Sequence, residues 1–492
     1  ASTASPPPDA PVAARPPDAR RRGSVLGLTF AIALAAPLGL ITGPLVARAI
    51  GPVGRGEVAS GTVFGTLAWQ VLGLGLPWAV GRRVAAEPGR LRALLGNAAR
   101  YCLVVTPLAI ALAWFLVEGP LDGLSTAAAV GAFVLIAVAP LNIFSNVQQA
   151  ALVAEGALRP MSMLRASPIL FSAAVVIGCA ITGTLSVGTY LAATIGAGLL
   201  VNALTWRFLP TRPRGAEPYR PLLWFGIRSA GGQLAAYGNS YLDQAILAVA
   251  VGPRQLGLYA VAATVASVPL SFGQALAARA FGDVGRASGA DRWEQAGRYL
   301  RLALLVGVAA SAAIALTGPF LVPLLFGRPF RGSVVPLLIL LPGTAALGMG
   351  LTAMRILNAV DRPGASSIAE GSGFVVTAVG LAVAVPLAGI KGAAIVSTLA
   401  YWTRIAVQLR VLRKEGLGSV RPRWSDVRSM VRMGLDLAVR HVPFGPKGRH
   451  RRKGGRRRPG GRGGRGGQGG RRPGGSRPAM AAPTTSTDIA SS

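Results

Sequence analysis

The residues of this 492-residue chain that could do chemistry are few, and they are polar side chains set into apolar runs. Between residues 222 and 250, Ser229, Gln233, Tyr237, Ser240 and Gln244 recur at steps of four, four, three and four, flanked by Asn239 and Asp243, with Arg228 near one end. Helical spacing places such a set on one face. Asn142, Ser145, Asn146 and Gln149 make a second stripe in the run 125–153. Arg355, Asn358 and Arg362 share a face of a third run, and Arg279, Glu370 and Arg404 punctuate others. A charge at mid-membrane depth costs about 2.5–3.5 kcal/mol, so each needs a reason. One reason is structural, an interhelical hydrogen bond or internal ion pair. Stripes on several helices point instead to a shared water-filled cavity, and the excess of Arg228, Arg279, Arg355 and Arg404 over Asp243 and Glu370 suits an anionic cargo.

Catalytic chemistry has no comparable footing. His441 and His450 are the only histidines and lie near the C-terminus, while Cys102 and Cys179 fall within apolar runs. No ligand-spaced Cys/His set exists, so no metal site is expected. No GxxxxGK[ST] loop exists either, so no nucleotide cofactor is expected and the chain does not read as an enzyme.

The elements that must position these residues are membrane spans. Mean hydropathy is +0.49 and charged residues make up 14%, against about 25% for a soluble protein. Apolar runs long enough to cross a bilayer fall near 24–47, 57–80, 97–117, 125–153, 161–183, 186–208, 222–250, 256–280, 299–326, 333–359, 365–387 and 391–411. The expected fold class is an all-α polytopic membrane protein of about twelve helices. One set of ends carries Arg82, Arg83, Arg90, Arg92, Arg159, Arg165, Arg207, Arg212 and Arg214 among others. The opposite loops hold Arg48, Arg55, Arg254, Arg328, Arg331 and Lys391, with Glu118 and Asp122 between. The positive-inside rule then makes both termini cytoplasmic.

The net charge of +33 is concentrated: residues 413–492 hold 20 of the 51 basic residues against four acidic ones. Expected domains are a disordered Pro/Ala-rich head at 1–23, a first lobe at 24–208, a cytoplasmic link at 209–221 and a second lobe at 222–412. An amphipathic segment at 413–446 and a disordered Arg/Gly-rich tail at 447–492 follow. The tail lacks interleaved aromatics to stack on bases, so nucleic acid is the poorer partner and anionic lipid the better one.

The chain also repeats itself. Leu45 to Ala59 (LVARAIGPVGRGEVA) matches the region around VGPRQLGLYA at an offset of 201, aligning Gly51-Pro52 with Gly252-Pro253, Gly56 with Gly257 and Ala59 with Ala260. Asp243 falls opposite Thr42, so the repeat is asymmetric in its acid. A two-lobed transporter is the architecture this suggests.

Those stretches, with LLFGRPFRGSVVPLLILLPG (324–343), RILNAVDRPGASSIAEGSGF (355–374) and IKGAAIVSTLAYW (390–402), resemble the polysaccharide-transporter (oligosaccharide flippase) branch of the multidrug/oligosaccharidyl-lipid/polysaccharide (MOP) flippase superfamily. The resemblance implies two six-helix lobes around a cavity, working by alternating access in a bacterial plasma membrane. Its implied cargo is an oligosaccharide on a polyprenyl (pyro)phosphate, and a polymerase or glycosyltransferase is the implied protein partner. The family's LDQ acid falls on Asp243 beside Gln244, the Arg before its first Gly-Pro on Arg48, and its Gly-Arg-Pro turn is Asp361-Arg362-Pro363 here. The candidate cavity set is therefore Arg48, Asn142, Asn146, Gln149, Arg228, Gln233, Tyr237, Asp243, Gln244, Arg279, Arg355 and Asn358, with Asp243 also the candidate for ion coupling. A lipid II flippase or cation-coupled drug exporter of the same superfamily, and a non-transporting membrane scaffold, are the alternatives.

Overall fold

The computed structural model of the chain describes residues 19–209, 213–215, 220–421, 423–424 and 426–428, which lie in one unit, Ala1–Asp436. Most of the head, part of the link, the amphipathic segment beyond 428, the Arg/Gly-rich tail and the Arg228 side chain lie outside the described residues. Among the described residues the chain is helical without strands. Its helices are α1 (Ala19–Gly73), α2 (Leu76–Ala86), α3 (Leu91–Glu118), α4 (Thr126–Ala137), α5 (Ala139–Ala154), α6 (Leu158–Ile181) and α7 (Val187–Phe208). The later ones are α8 (Arg220–Ala250), α9 (Gly252–Ala266), α10 (Leu270–Arg286), α11 (Gly289–Phe326), α12 (Val334–Ala359) and α13 (Pro363–Lys414).

Six of these helices are long and apolar enough to cross a membrane, nine if each pair bent by more than 40° counts as one span. The expected twelve is not reached by that measure, for two physical reasons. α1 and α13 each run through a joint, at Gly51 (φ 66°) and Gly389 (φ 54°), and each covers two of the expected apolar runs. α8 covers the run 222–250, but its polar stripe dilutes its hydropathy and it joins neither set.

The joints are built from glycine because only glycine enters the left-handed region without a Cβ penalty. Gly51 and its repeat partner Gly252 (φ 76°) share that conformation, and each precedes a proline that opens a new helical run. Asp361, where the family turn has glycine, still takes φ 58°, one of two described non-glycine residues with positive φ.

After their joints, α1 and α9 cross. A Cβ on Gly56 would lie 1.7 Å from the Pro253 carbonyl oxygen, and a Cβ on Gly257 would lie 1.9 Å from the Pro52 carbonyl oxygen. The two contacts are reciprocal, as in a twofold interface where residue i meets j and j meets i. Ala47 and Ala59 of α1 join Leu256, Tyr259 and Ala260 of α9 in the same apolar cluster, which α12, α13 and Phe330 complete. Beside the crossing, buried Glu57 accepts from the Ser125 backbone N–H and hydroxyl, both at 2.9 Å, and so caps the start of α4.

The segment after α13 folds back on the second half. Leu417 and Val420 join the cluster of α10, α11 and α12, and Gly416 (φ 115°) sits against Trp293. Arg301 pairs with Asp426 at 2.7 Å, both side chains 7% exposed, and also donates to the Ser419 carbonyl. Burial alone would raise the Asp426 carboxyl, but the bonds from Arg301 and the Arg423 backbone outweigh it and hold the group below its ordinary value.

Two outcomes follow. Gly56→Val or Gly257→Val drives a side chain into backbone, so folded yield on fluorescence-detected size exclusion should collapse, whereas Gly178→Ala, with open space around it, should be silent. The Asp426 contribution is fully present above the ordinary carboxylate range and is lost only as pH falls through its depressed value. Asp426→Asn should therefore lower stability at pH 7 by up to about 3 kcal/mol, read as a melting shift that shrinks in acid.

Candidate functional site

A cavity of about 620 Å³ opens at the end of the bundle away from the crossing, about 30 Å along the helix from Pro52. Its wall is made where helices break. α1 ends at Leu74 (φ 43°) and Gly75 (φ 70°), and α2 leaves at 49° to it. The Tyr101 hydroxyl donates to the Leu72 carbonyl at 2.6 Å, satisfying a group exposed by the break. α5 leaves α4 at 45° behind Pro140, turning its amides toward the same space.

The exposed residues of its lining, Trp78, Arg82, Ala85, Val153 and Arg165, mark its mouth, and Met161 is buried. Deeper in lie Trp69, Gln70, Asn146, Gln149, Gln233 and Tyr237. The Trp69 and Tyr237 rings meet edge to face at 6.0 Å, and Tyr237 stacks on Tyr241 at 6.4 Å, an aromatic ladder from α1 to α8. Enclosed Gln70 Nε2 has no hydrogen-bond partner among the described residues. Among the described residues no acid lines the cavity. Guanidinium at one end with amide and aromatic groups at the other suits a ligand that is anionic at one end and hydroxyl-rich at the other. A second cavity of about 540 Å³, between α4 and α7, is walled by Ala, Val, Leu, Ile, Gly and one Thr and holds no ionisable group.

Four expected residues line the larger cavity: Asn146, Gln149, Gln233 and Tyr237. The stripe on α5 divides. Asn142 accepts from Asn202 at 3.4 Å and Ser145 meets Thr205 at 3.3 Å, fastening α5 to α7, while Asn146 and Gln149 face the space. α8 divides likewise, and its other face enters a buried network in the second half. Asp243 accepts from Tyr259 (2.5 Å), Ser397 (3.2 Å) and the Gln244 backbone (2.7 Å), joining α8 to α9 and α13. Asn239 donates to Glu370 and accepts from Thr377, and Glu370 pairs with Arg404 at 3.2 Å, all of them buried.

The remaining candidates lie elsewhere. Arg48 donates from Nε to the Leu325 carbonyl at 2.8 Å, and from its terminal nitrogen to Leu324, at the end of α11. Arg279 is exposed on α10 and Arg355 on α12, with Asn358 half-buried one turn on, and none lines this cavity. The sequence reading missed Trp69, Trp78, Arg82 and Arg165. Both arginines were legible only as topology-setting charges, and both tryptophans as apolar residues of spans. The breaks around Gly73, Gly75 and Gly81 were the one signal that this stretch walls a cavity.

A family model described as "Polysaccharide biosynthesis protein" matches residues 45–335, more than half of the chain and both copies of the crossing motif. The chain belongs to that family. Among solved structures, the lipid II flippase MurJ in an inward closed conformation superposes with a TM-score of 0.66 at 12% identity, covering 85% of this chain and 93% of that one. A multidrug resistance MATE family transporter of the MOP superfamily matches inward-facing (TM-score 0.58) and outward-facing (0.55), each at 16% identity over 80% of this chain and 98% and 96% of the other. No curated protein sequence matches the chain significantly. The family thus appears here on the MOP transporter fold, as a polytopic all-helical membrane protein.

Removing one donor from the Asp243 network tests its structural weight. Tyr259→Phe should cost about 1–3 kcal/mol, seen as a lower melting midpoint in detergent. Ser240→Ala, whose hydroxyl bonds only its own helix, serves as the silent control. Equal midpoints for the two variants would dismiss the network as a stabilising element.

Proposed function

We propose that the chain is a flippase that moves a polyprenyl-(pyro)phosphate-linked oligosaccharide from the cytoplasmic to the outer leaflet for cell-surface polysaccharide biosynthesis, by alternating access. The observation that carries this reading is the cavity's gradient, from Arg82 and Arg165 at the mouth to Trp69, Tyr237, Asn146, Gln149 and Gln233 inside. Arginine matches phosphate oxygens in geometry and charge, and amides and aromatic faces serve sugar hydroxyls and ring hydrogens. Membership of the polysaccharide biosynthesis family supports the glycan part. With the arginine-rich ends cytoplasmic, the mouth faces the leaflet on which such lipid-linked sugars are assembled.

A drug exporter for cations is the weaker reading because the described residues of the cavity wall include two arginines and no acid. A lipid II flippase shares the fold and the phosphate chemistry, and only the sugar it accepts would separate it from this proposal. Anionic lipid around the C-terminal tail, a polymerase or glycosyltransferase neighbour, and the division into two lobes belong to the same proposal. So does ion coupling through Asp243, whose carboxylate ties α8 to the crossing helix α9.

Reconstituted in liposomes, Arg82→Gln/Arg165→Gln should slow flipping of a diphosphate-linked glycan at least about tenfold, the loss of one or two charge-assisted bonds. Arg355→Ala, which leaves the cavity wall intact, should change it little. Equal rates for the double variant and the parent overturn the phosphate-at-the-mouth reading. The same assay under imposed pH and sodium gradients tests coupling, and rates indifferent to both remove that role from Asp243.

A further inference from the structure

The other end of the bundle carries charge that neither the crossing nor the cavity uses. Arg55 directly precedes Gly56, and Arg254 directly follows Pro253, the two residues in contact at the crossing. Arg328 and Arg331 belong to a short 3-10 turn, Arg328–Ser333. That turn is pinned to α9: Phe330 is buried in one cluster with Leu256 and Tyr259, and Gly332 sits against Leu258. Arg48, one helical turn before Gly51–Pro52, holds the Leu324 and Leu325 carbonyls just ahead of the same turn. Five arginines are therefore carried by elements that pack together along one seam, α1, α9 and the turn.

No ion pair neutralises the seam among the described residues. Arg55, Arg254, Arg328 and Arg331 have no ion-pair or hydrogen-bond partner among the described residues, and the Arg55 Nε is enclosed without one. Glu57, the acid on α1 beside the seam, is spent on capping α4 through Ser125. Glu118 and Asp122 are exposed in and near the α3–α4 loop, and neither forms an ion pair with an arginine of the seam. Like charges on neighbouring elements repel one another, and an anion bound between them relieves that repulsion. The positive-inside trend also runs against arginine at this end of the bundle.

We infer that this seam is a phosphate-binding site for a lipid phosphate or diphosphate, opposite the cavity mouth. Two sources supply that chemistry: the diphosphate of a polyprenyl carrier that has crossed, or the headgroup of an anionic phospholipid. The first source rests on the proposed flippase function and the second does not. Planar guanidinium forks from three elements can each take two oxygens of one phosphoryl group, which a single arginine cannot do for a diphosphate.

The test uses full-length protein in phosphatidylcholine nanodiscs, with Arg254→Gln/Arg328→Gln/Arg331→Gln compared with the parent and with the cavity double variant. All three seam positions are exposed, and the corresponding triple lysine variant keeps the charge as a control on folding. Titration with polyprenyl diphosphate should show two binding events in the parent, with the seam variant losing one and the cavity variant the other, each weakened at least about tenfold. In discs doped with phosphatidylglycerol, native mass spectrometry should show the seam variant retaining fewer anionic lipids. Loss in the diphosphate arm identifies the carrier as the ligand, and loss confined to the phosphatidylglycerol arm identifies membrane lipid. A seam variant indistinguishable from the parent in both arms overturns the site. A cavity variant with normal flipping, beside a seam variant that loses phosphate, would sink the proposed function and leave the seam standing.

Discussion

Everything in this molecule is arranged around a place where two backbones touch. At the crossing of α1 and α9 there is room for a hydrogen and for nothing larger, since a Cβ at either glycine would sit within 2 Å of the opposing carbonyl oxygen. Close backbone approach is how helices associate where lipid removes the hydrophobic driving force between them. Reciprocity makes the contact strict: Gly56 and Gly257 are both needed, and so are the prolines that present their carbonyls. The joints at Gly51 and Gly252 then follow, because each chain must turn sharply to bring its glycine to the meeting point. Sealing one end in this way leaves the other end of the bundle free to hold a cavity.

Polar groups in the membrane are spent in two ways, and the helix face decides which. Asn239 and Asp243 are one turn apart and turned toward α13, where hydroxyl, amide and guanidinium groups complete their bonding. Gln233 and Tyr237, one turn apart on the same helix, are turned toward the open space. A polar group left unsatisfied in apolar surroundings costs several kcal/mol, so the network facing α13 is nearly closed within the protein. On the cavity face Asn146 and Gln149 donate within their own helix, to the Asn142 carbonyl and the Ser145 hydroxyl, and the enclosed Gln70 amide is left without a partner among the described residues.

Much of this was legible in the residues. The membrane class followed from hydropathy, the helical joints from glycine and proline, and the equivalence of two halves from one constant offset. The polar stripes on α5 and α8 were found, and each contains cavity residues. What sequence could not show is which way each residue of a stripe turns, because that depends on the rotation of helices packed by residues far away. Asn142 and Asn146 are identical in type and one turn apart, yet one fastens α7 and the other faces the cavity. Arg82 and Arg165 were hidden for a different reason. Near a span end, an arginine that sets topology and an arginine that meets a ligand are the same residue in the same place.

The asymmetry between halves follows from these two kinds of polarity. Thr42, opposite Asp243 in the repeat, bonds only to the Leu38 carbonyl of its own helix, so the first half has no counterpart to the buried acid. The first half instead breaks α1 and bends α5, and among the described residues it supplies all of the cavity lining except Gln233, Leu234 and Tyr237 of α8. The second half holds the Glu370–Arg404 pair, the Asp243 bonds and the Arg301–Asp426 hook, which brace α8 through α13. The two halves meet at both ends: at the glycine approaches and the Arg48 bonds to α11 on one side, and where Trp69 of α1 meets Tyr237 of α8 and Gly226 packs against the Leu74 carbonyl on the other. The crossing is therefore the tightest of these contacts, with no side chain between the two backbones.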